Sequence, residues 1–276
     1  MKKANKKVIL ISGASSGMGM HMAIKLAQEG NIVYAAARRV NIMEHLKQYG
    51  IHVLYLDVTD YDSVDKAIEC IIDAEKNIDI LINNAGYGSF GAMEDVDLEE
   101  AHRQFEVNVF GLALLTQKVL PHMRRKHNGT IINIGSIAGR MPILFGTWYN
   151  ATKYSVRAIT ETIRMEVKRY GIKTVLIEPG PIATPWGNIA AEHLEQTNNK
   201  SVYHEDELKA AVRLRKVYTT QWLTKPEHVA KLVVKITNKR NPRRSYPVGR
   251  GSRLLIIAHA VLPASVYEKM VIRFFL

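Results

Sequence analysis

The chain has 276 residues, 47% of them apolar and 23% charged, with 38 basic side chains against 26 acidic, a formal net charge of +12. These proportions suit a globular protein with a large buried core, and the single cysteine, Cys70, excludes a disulfide framework and argues against a Cys-ligated metal site. The basic excess has local clusters at Lys2–Lys7, Arg124–Lys126 and Lys239–Arg244, but no aromatic interleaving or base-reading motif accompanies it, so nucleic acid is not an expected partner.

The N-terminus is basic, but its short apolar run leads straight into a glycine-rich turn, which reads as a first buried strand, Val8–Ile11, and not as a secretory signal. A helical pattern from Gly17 to Glu29 is closed by Gly30, and Ile32–Ala36 reads as a second strand. The alternation continues with a polar helix at Val40–Tyr49, strand His52–Leu56, helix Tyr61–Lys76 and strand Ile78–Ile82. Leu98–Lys126 is a long helical stretch interrupted around Gly111 and Pro121, followed by strand Thr130–Ile134, helix Tyr149–Tyr170 and strand Lys173–Ile177. Residues 185–222 hold one or two helices, Pro226–Asn238 a further helix and Ser245–Val248 a last strand; Ser252–Leu276 is an apolar helical tail broken at Pro263. Strands alternating with helices of this length predict a doubly wound α/β fold, a Rossmann-type parallel sheet with helices on both faces. No linker or composition shift marks a second domain, so residues 1–276 are expected to form one unit: a core over 6–184, a substrate loop over 185–225 and the tail over 250–276. With no long apolar span, the expected location is the cytoplasm.

The first turn reads Ser12-Gly13-Ala14-Ser15-Ser16-Gly17-Met18-Gly19. Glycines here let backbone approach a pyrophosphate while the following helix offers free N–H groups and the positive end of its dipole. The spacing differs from the general dinucleotide fingerprint, and the same stretch formally matches a hydrolase nucleophile elbow around Ser15. An elbow needs an earlier strand to complete its oxyanion hole, and only a dozen residues precede it. After the second strand stand Ala35-Ala36-Ala37-Arg38-Arg39, with no carboxylate to hold a ribose hydroxyl; Arg38 can instead fork onto a 2′-phosphate, which favours NADP(H) over NAD(H). Further on, Ser136 follows a strand, and Tyr149 and Lys153 are spaced i, i+4 on one helix face. A phenol that carries protons near neutrality must titrate roughly 2–3 pH units below its ordinary value of about 10, and a nearby ammonium favours the phenolate. The Ser136 hydroxyl can polarise a carbonyl oxygen.

Taken together, SGASSGMG at 12–19, LDVTD at 56–60, NNAG at 83–86, Asn108 in VNVFG, IGS at 134–136, YNATK at 149–153 and PGPIAT at 179–184 make the chain resemble the short-chain dehydrogenase/reductase family, closely over residues 6–184. The resemblance implies a hydride transfer between NADP(H) and a carbonyl or secondary alcohol, with Tyr149 as acid/base and Ser136, Lys153 and Asn108 beside it. It implies that Gly13, Ser15, Ser16, Gly17, Met18 and Gly19 cradle the phosphates, and that Asp57 accepts from the adenine amine with Val58 packing nearby. Asn84, Ala85 and Gly86 should line the adenosine ribose, and Asn108 should hold a water that links Lys153 to solvent. Pro179 and Gly180 should back the nicotinamide; Ile182 and Thr184 complete that side. One departure is Ser12 in place of the family's usual threonine, and a hydroxyl remains.

The segments that the resemblance implies touch substrate hold Met141, Ile143, Leu144, Phe145, Trp148, Trp186, Tyr203, Tyr218 and Trp222, an apolar set suited to a hydrophobic ketone or alcohol; the resemblance, to hydroxysteroid and retinol dehydrogenases among others, implies one of steroid, retinoid or aliphatic kind. The tail is expected to pack over the pocket or against a second subunit. A helix lying in a membrane interface, beside Arg243, Arg244, Arg250 and Arg253, is a less favoured reading, and the tail is too interrupted, by His259, Pro263, Glu268 and Lys269, to span a bilayer. The resemblance implies a homodimer or homotetramer through the 98–126 and 149–170 helices. A non-catalytic NADP-sensing protein, or a membrane-peripheral one, on the same fold is the alternative.

Overall fold

The computed structural model describes residues 6–196 and 199–276; part of the Lys2–Lys7 cluster and a short piece of the substrate loop lie outside them. Among the described residues, seven strands form one parallel sheet in the order β3-β2-β1-β4-β5-β6-β7. The strands are β1 (Val8–Ser12), β2 (Ile32–Ala37), β3 (His52–Tyr55), β4 (Ile80–Asn83), β5 (Gly129–Ile134), β6 (Ile172–Pro179) and β7 (Ser245–Val248). The order reverses between β1 and β4, so the loops after these two strands diverge at their C-terminal ends and leave a crevice there. β1 and β4 are apolar runs buried on both faces, as parallel strands under two helical layers must be.

One layer packs α1 (Gly17–Gln28) and α8 (Pro226–Thr237) over Ile9, Ile11, Val33 and Val175; the other packs α2 (Tyr61–Glu75) and α4 (Gly111–Arg125) over Leu10, Leu81 and Ile131. α2 starts at Asp60, whose carboxylate accepts from the N–H groups of Asp62 (2.9 Å) and Ser63 (3.4 Å). α5 (Thr147–Val167) covers the β5–β6 part of the sheet. A buried polar chain ties these layers: Asn83 Nδ2 donates to Thr116 Oγ1 (3.0 Å) and Asn133 Oδ1 (2.9 Å), and Asn133 Nδ2 donates to Thr160 Oγ1 (2.9 Å).

Local departures from the sequence reading have identifiable causes. The 40–49 helix is a 3₁₀ segment over Asn41–Tyr49 closed by Gly50 in the left-handed region. The fourth strand begins at Ile80, because Asp79 caps the sheet end by accepting from Val8 N (2.9 Å). α3 (Leu98–Phe105) passes into α4 through a π turn at Glu106–Phe110 instead of breaking at Gly111, and α4 runs through Pro121 with Val119 and Met123 held in the core. The 185–222 region is two helices, α6 (Trp186–Glu195) and α7 (His204–Thr219); the tail is α9 (Ser252–Val261) and α10 (Ala264–Phe275), divided at Pro263.

Candidate active site

A cleft of about 710 Å³ opens at the C-terminal ends of the strands. At one end it is lined by Gly13, Ser15, Ser16, Gly17 and Met18, with Arg38 and Arg39 across from them. Gly13 and Gly17 sit at φ +64° and +54°, and a Cβ on Gly13 would lie 2.7 Å from Ala85 Cα. Gly19 does not line the cleft; it lets α1 approach the turn, since a Cβ there would lie 2.5 Å from Gly13 O and 2.6 Å from Asn84 Nδ2. Ser16 caps α1 by position but gives it no side-chain hydrogen bond, so the helix N-terminus faces the cleft with donors to spare. The Ser12 hydroxyl accepts from Asn84 N and Ala85 N (both 3.1 Å), and Asn84 Nδ2 donates to Ser12 O and Gly13 O (both 3.0 Å). Asn84 therefore holds the two loops of the crevice at a fixed distance. These features fit a dinucleotide: a glycine-lined helix end for the pyrophosphate and two guanidinium groups for a further phosphate.

Asp57, Val58, Ala85 and Gly86 line the adjoining wall. The Asp57 carboxylate accepts from Thr59 N (3.0 Å) and Thr59 Oγ1 (2.8 Å) through one of its oxygens. Val58 also packs on the start of α4, where a Cβ on Gly111 would lie 2.6 Å from Val58 Cγ2. On the opposite wall are Pro179, Gly180, Ile182 and Thr184; Thr184 lies over Gly17, and Ile182 pairs with Thr224 to close the segment.

Tyr149 and Lys153, in the first two turns of α5, meet Ser136 at the floor of the cleft. Lys153 Nζ lies 5.7 Å from the Tyr149 ring centre and donates to Ile134 O (3.3 Å). Ser136 Oγ accepts from Ala138 N (3.1 Å) and donates to Pro179 O (3.4 Å). Burial sets the titration here. It pushes the Tyr149 phenol up to about 12, with Ser136 pulling the other way, and brings the Lys153 amine down to about 8. The direction for the phenol is opposite to that expected from the Tyr–Lys spacing: both groups are under 10% exposed, and the tilted rings of Phe90 and Trp186 (ring centres 5.4 and 5.1 Å) enclose the phenol, so desolvation of the phenolate is the largest cause.

Asn108 sits on the π turn, which turns its amide inward. Its Oδ1 accepts from Tyr87 N (2.9 Å), and its Nδ2 donates to Tyr87 O (2.8 Å) and Thr152 Oγ1 (3.1 Å). Thr152 in turn donates to Tyr149 O (2.8 Å). Asn108 is thus a clamp between the loop after β4 and α5; Oδ1 also faces Gly86, the residue that Lys153 Nζ approaches, where a Cβ would lie 2.9 Å from the oxygen and 3.7 Å from the nitrogen.

Three residues that sequence reasoning missed belong to the site. Asn150 donates to Ala138 O (2.7 Å) and Met141 O (2.9 Å) and accepts from Ile143 N (3.1 Å), fastening the Ser136 loop to α5. Arg39 donates to Ser15 Oγ (3.1 Å) across the phosphate end. Tyr87 lines the cleft, with burial and Glu100 both raising its phenol. The YNATK motif and the Arg38-Arg39 pair carried a signal for the first two; nothing local marked Tyr87.

Beyond Tyr149 the cleft is apolar, walled by Phe90, Met141, Ile143, Trp186, Ile189, Leu214 and Tyr218, and by Leu255, Tyr267, Met270, Val271, Phe274 and Phe275 of the tail. Of the nine residues expected to touch substrate, Met141, Ile143, Trp186 and Tyr218 line it. The others do not: Phe145 packs beneath α6, Trp148 against Phe105, and Trp222 carries Arg250 on its exposed ring, while Leu144 and Tyr203 lie off the cleft. The tail packs over the pocket as expected. Tyr267 is buried and donates to Pro142 O (2.9 Å), joining α10 to the loop between Ser136 and Tyr149.

The short chain dehydrogenase family profile matches residues 7–195. A probable short-chain type dehydrogenase/reductase of Helicobacter pylori is 33% identical over 261 residues, 95% of each chain. A 3-ketodihydrosphingosine reductase of Bacteroides thetaiotaomicron is 34% identical over 250 residues, 88% of each chain. Among solved structures, the closed form of a serine dehydrogenase complexed with NADP+ superposes with a TM-score of 0.77 at 26% identity, covering 88% of this chain and 94% of that one.

Proposed function

This chain belongs to the short-chain dehydrogenase family, an oxidoreductase acting on CH–OH or C=O groups, and we propose that it uses NADP(H) to reduce the ketone of a hydrophobic, aliphatic substrate in the cytoplasm, with Tyr149 as the proton donor. The observation that carries this reading is the convergence of Ser136, Tyr149 and Lys153 at the point where a glycine-lined, arginine-flanked end of the cleft meets its apolar end. NADPH, when bound, supplies the hydride. The protein's part is proton supply and positioning. Ser136 donates to the carbonyl oxygen and holds it toward the Tyr149 phenol. That phenol, at about 12, keeps its proton at neutral pH and is ready to give it to an alkoxide. Lys153, charged below about pH 8, stabilises the phenolate that remains and sits where ribose hydroxyls are expected. Gly86, Asn108 and Lys153 lie side by side, which supports a proton path from solvent by way of Asn108.

A ketone on a long apolar chain fits the lining beyond Tyr149, and the name of the Bacteroides relative, a reductase of 3-ketodihydrosphingosine, supports that class. NADP(H) over NAD(H) is supported by Arg38 and Arg39 and by the NADP+ bound to the serine dehydrogenase. Exposed Leu98, Phe110, Tyr154 and Met165 on α3, the π turn and α5 support pairing with a second copy there.

The test is titration with NADPH and NADH by nicotinamide fluorescence, then turnover on ketones of increasing chain length. Tight NADPH binding with kcat/KM rising with chain length supports the reading. Tyr149→Phe is expected to reduce turnover by 10²-fold or more and leave NADPH affinity within a few-fold; an active variant overturns the proton-donor role. Tight binding without turnover across the panel would favour the non-catalytic sensor instead.

A further inference from the structure

The two tail helices have inner and outer faces of different kinds. Inside, Leu255, Ile256, Tyr267 and Val271 pack on Ile137 and Met141 beside the active site. Outside, Leu254, Ile257 and Val261 recur on one face of α9 and are 70%, 56% and 71% exposed. On α10, Val266, Met270, Ile272 and Phe274 are also exposed, as is the terminal Leu276. Cations surround this apolar surface: Arg250, Arg253, Lys269 and Arg273 along the tail, and Arg213 on α7, whose guanidinium lies 4.9 Å over the Phe274 ring. The groove between α7 and the end of α10 adds Lys216 and Lys209, the latter paired with Asp206 (2.7 Å). Against these, residues 250–276 hold one carboxylate side chain, Glu268, and the groove holds one more, Glu205.

We propose that α9 and α10 are a docking surface for an anionic phospholipid bilayer, lying in its interface with the cleft mouth turned toward the lipid. Charge decides between the two occupants such a face could take. A two-fold contact with a second copy sets a patch against itself and would bring the same arginines and lysines face to face; an anionic surface pairs those that no carboxylate already holds. The apolar side chains between the cations enter the headgroup–acyl boundary, as an amphipathic helix does. Spanning is not the mode, since among the described residues no helix is long and apolar enough to cross a membrane. Met270 and Phe274 belong to both surfaces: they line the cleft and are 40% and 44% exposed. An apolar ketone dissolved in the bilayer therefore reaches the site along continuous apolar surface. This last step rests on the apolar-substrate reading above; the docking does not.

The experiment is flotation of the full chain with phosphatidylcholine vesicles and with vesicles containing phosphatidylserine at about three parts in ten, run without substrate. The expected result is flotation with the anionic vesicles, weakened severalfold by high salt, and little with the neutral ones. Leu254→Asp/Ile257→Asp/Val261→Asp is expected to stay at the bottom while binding NADPH, and reducing a short water-soluble ketone, as the parent chain does. Arg253→Glu/Lys269→Glu/Arg273→Glu is expected to lose the anionic preference. A parent chain that remains at the bottom with both vesicles overturns the proposal. So does flotation that both variants retain, or a mass that doubles with concentration in the parent alone without flotation. Flotation that survives while turnover is absent would overturn the reductase reading and leave the docking surface standing.

Discussion

Tyr149 and Lys153 are pulled in opposite directions by the same burial, and this makes the pH dependence informative. The phenol at about 12 keeps its proton through the neutral range, whereas the amine at about 8 loses its charge just above it. Reduction leaves a phenolate that the ammonium stabilises, so reductive kcat/KM is expected to be level below about pH 7 and to fall through about pH 8. In Lys153→Arg, where a guanidinium keeps its charge, activity that remains should lack that limb; a parent profile level to pH 10 would show that the Lys153 charge is not used. At the other end of the cleft, Arg38 and Arg39 both flank the glycine-rich turn. Losing hydrogen bonds to a charged group costs about 1.5–3 kcal/mol each, so Arg38→Ala with Arg39→Ala should weaken NADPH binding by about a hundredfold or more and leave NADH within a few-fold. Equal losses for both nucleotides, read by fluorescence titration, would assign the 2′-phosphate to another group.

Several elements act through single close contacts. The roof of the apolar chamber depends on Gly187 in α6, where a Cβ would lie 2.0 Å from Tyr218 Cγ on α7. Gly187→Ala must push that ring into the cleft or part the two helices, with about 1–3 kcal/mol lost to overpacking. The expected outcome is a raised KM for long-chain ketones with NADPH affinity retained, together with a lower midpoint in urea. An unchanged KM would mean that substrate does not reach Tyr218. Sequence pattern found most of these elements but not their exact course. Gly111 looked like a helix break because glycine lowers helix propensity; in the fold, its missing Cβ admits Val58 while the chain goes on through a π turn. That turn is what directs Asn108 to Tyr87 and Thr152, and no periodicity announces it.

Across the whole molecule, one latch joins the last helix to the chemistry. Tyr267 is 2% exposed and donates to Pro142 O, with His259 edge-on to its ring at 4.7 Å. Tyr267→Phe removes one hydrogen bond, worth about 0.5–1.5 kcal/mol, and should leave the chamber closed. Tyr267→Ala removes the ring as well, and is expected to raise KM for apolar ketones far more than for short soluble ones. Equal effects on both would place the damage at the Ser136 loop instead of the lid.

The sequence by itself determined the alternation of strands and helices, the glycine-rich turn, the Tyr149–Lys153 pair and the arginines after the second strand. These are local: each is set by periodicity, by backbone freedom or by spacing within a turn or two. Only the tertiary structure decided which aromatic residues line the chamber, that burial raises the Tyr149 phenol, that Asn108 and Asn150 fasten the loops, and that the tail closes over the site. Each of these depends on side chains brought together from distant parts of the chain, over a hundred residues apart for Tyr267 and Pro142. Desolvation and contact belong to the packed arrangement, and neither is a property of a segment read alone.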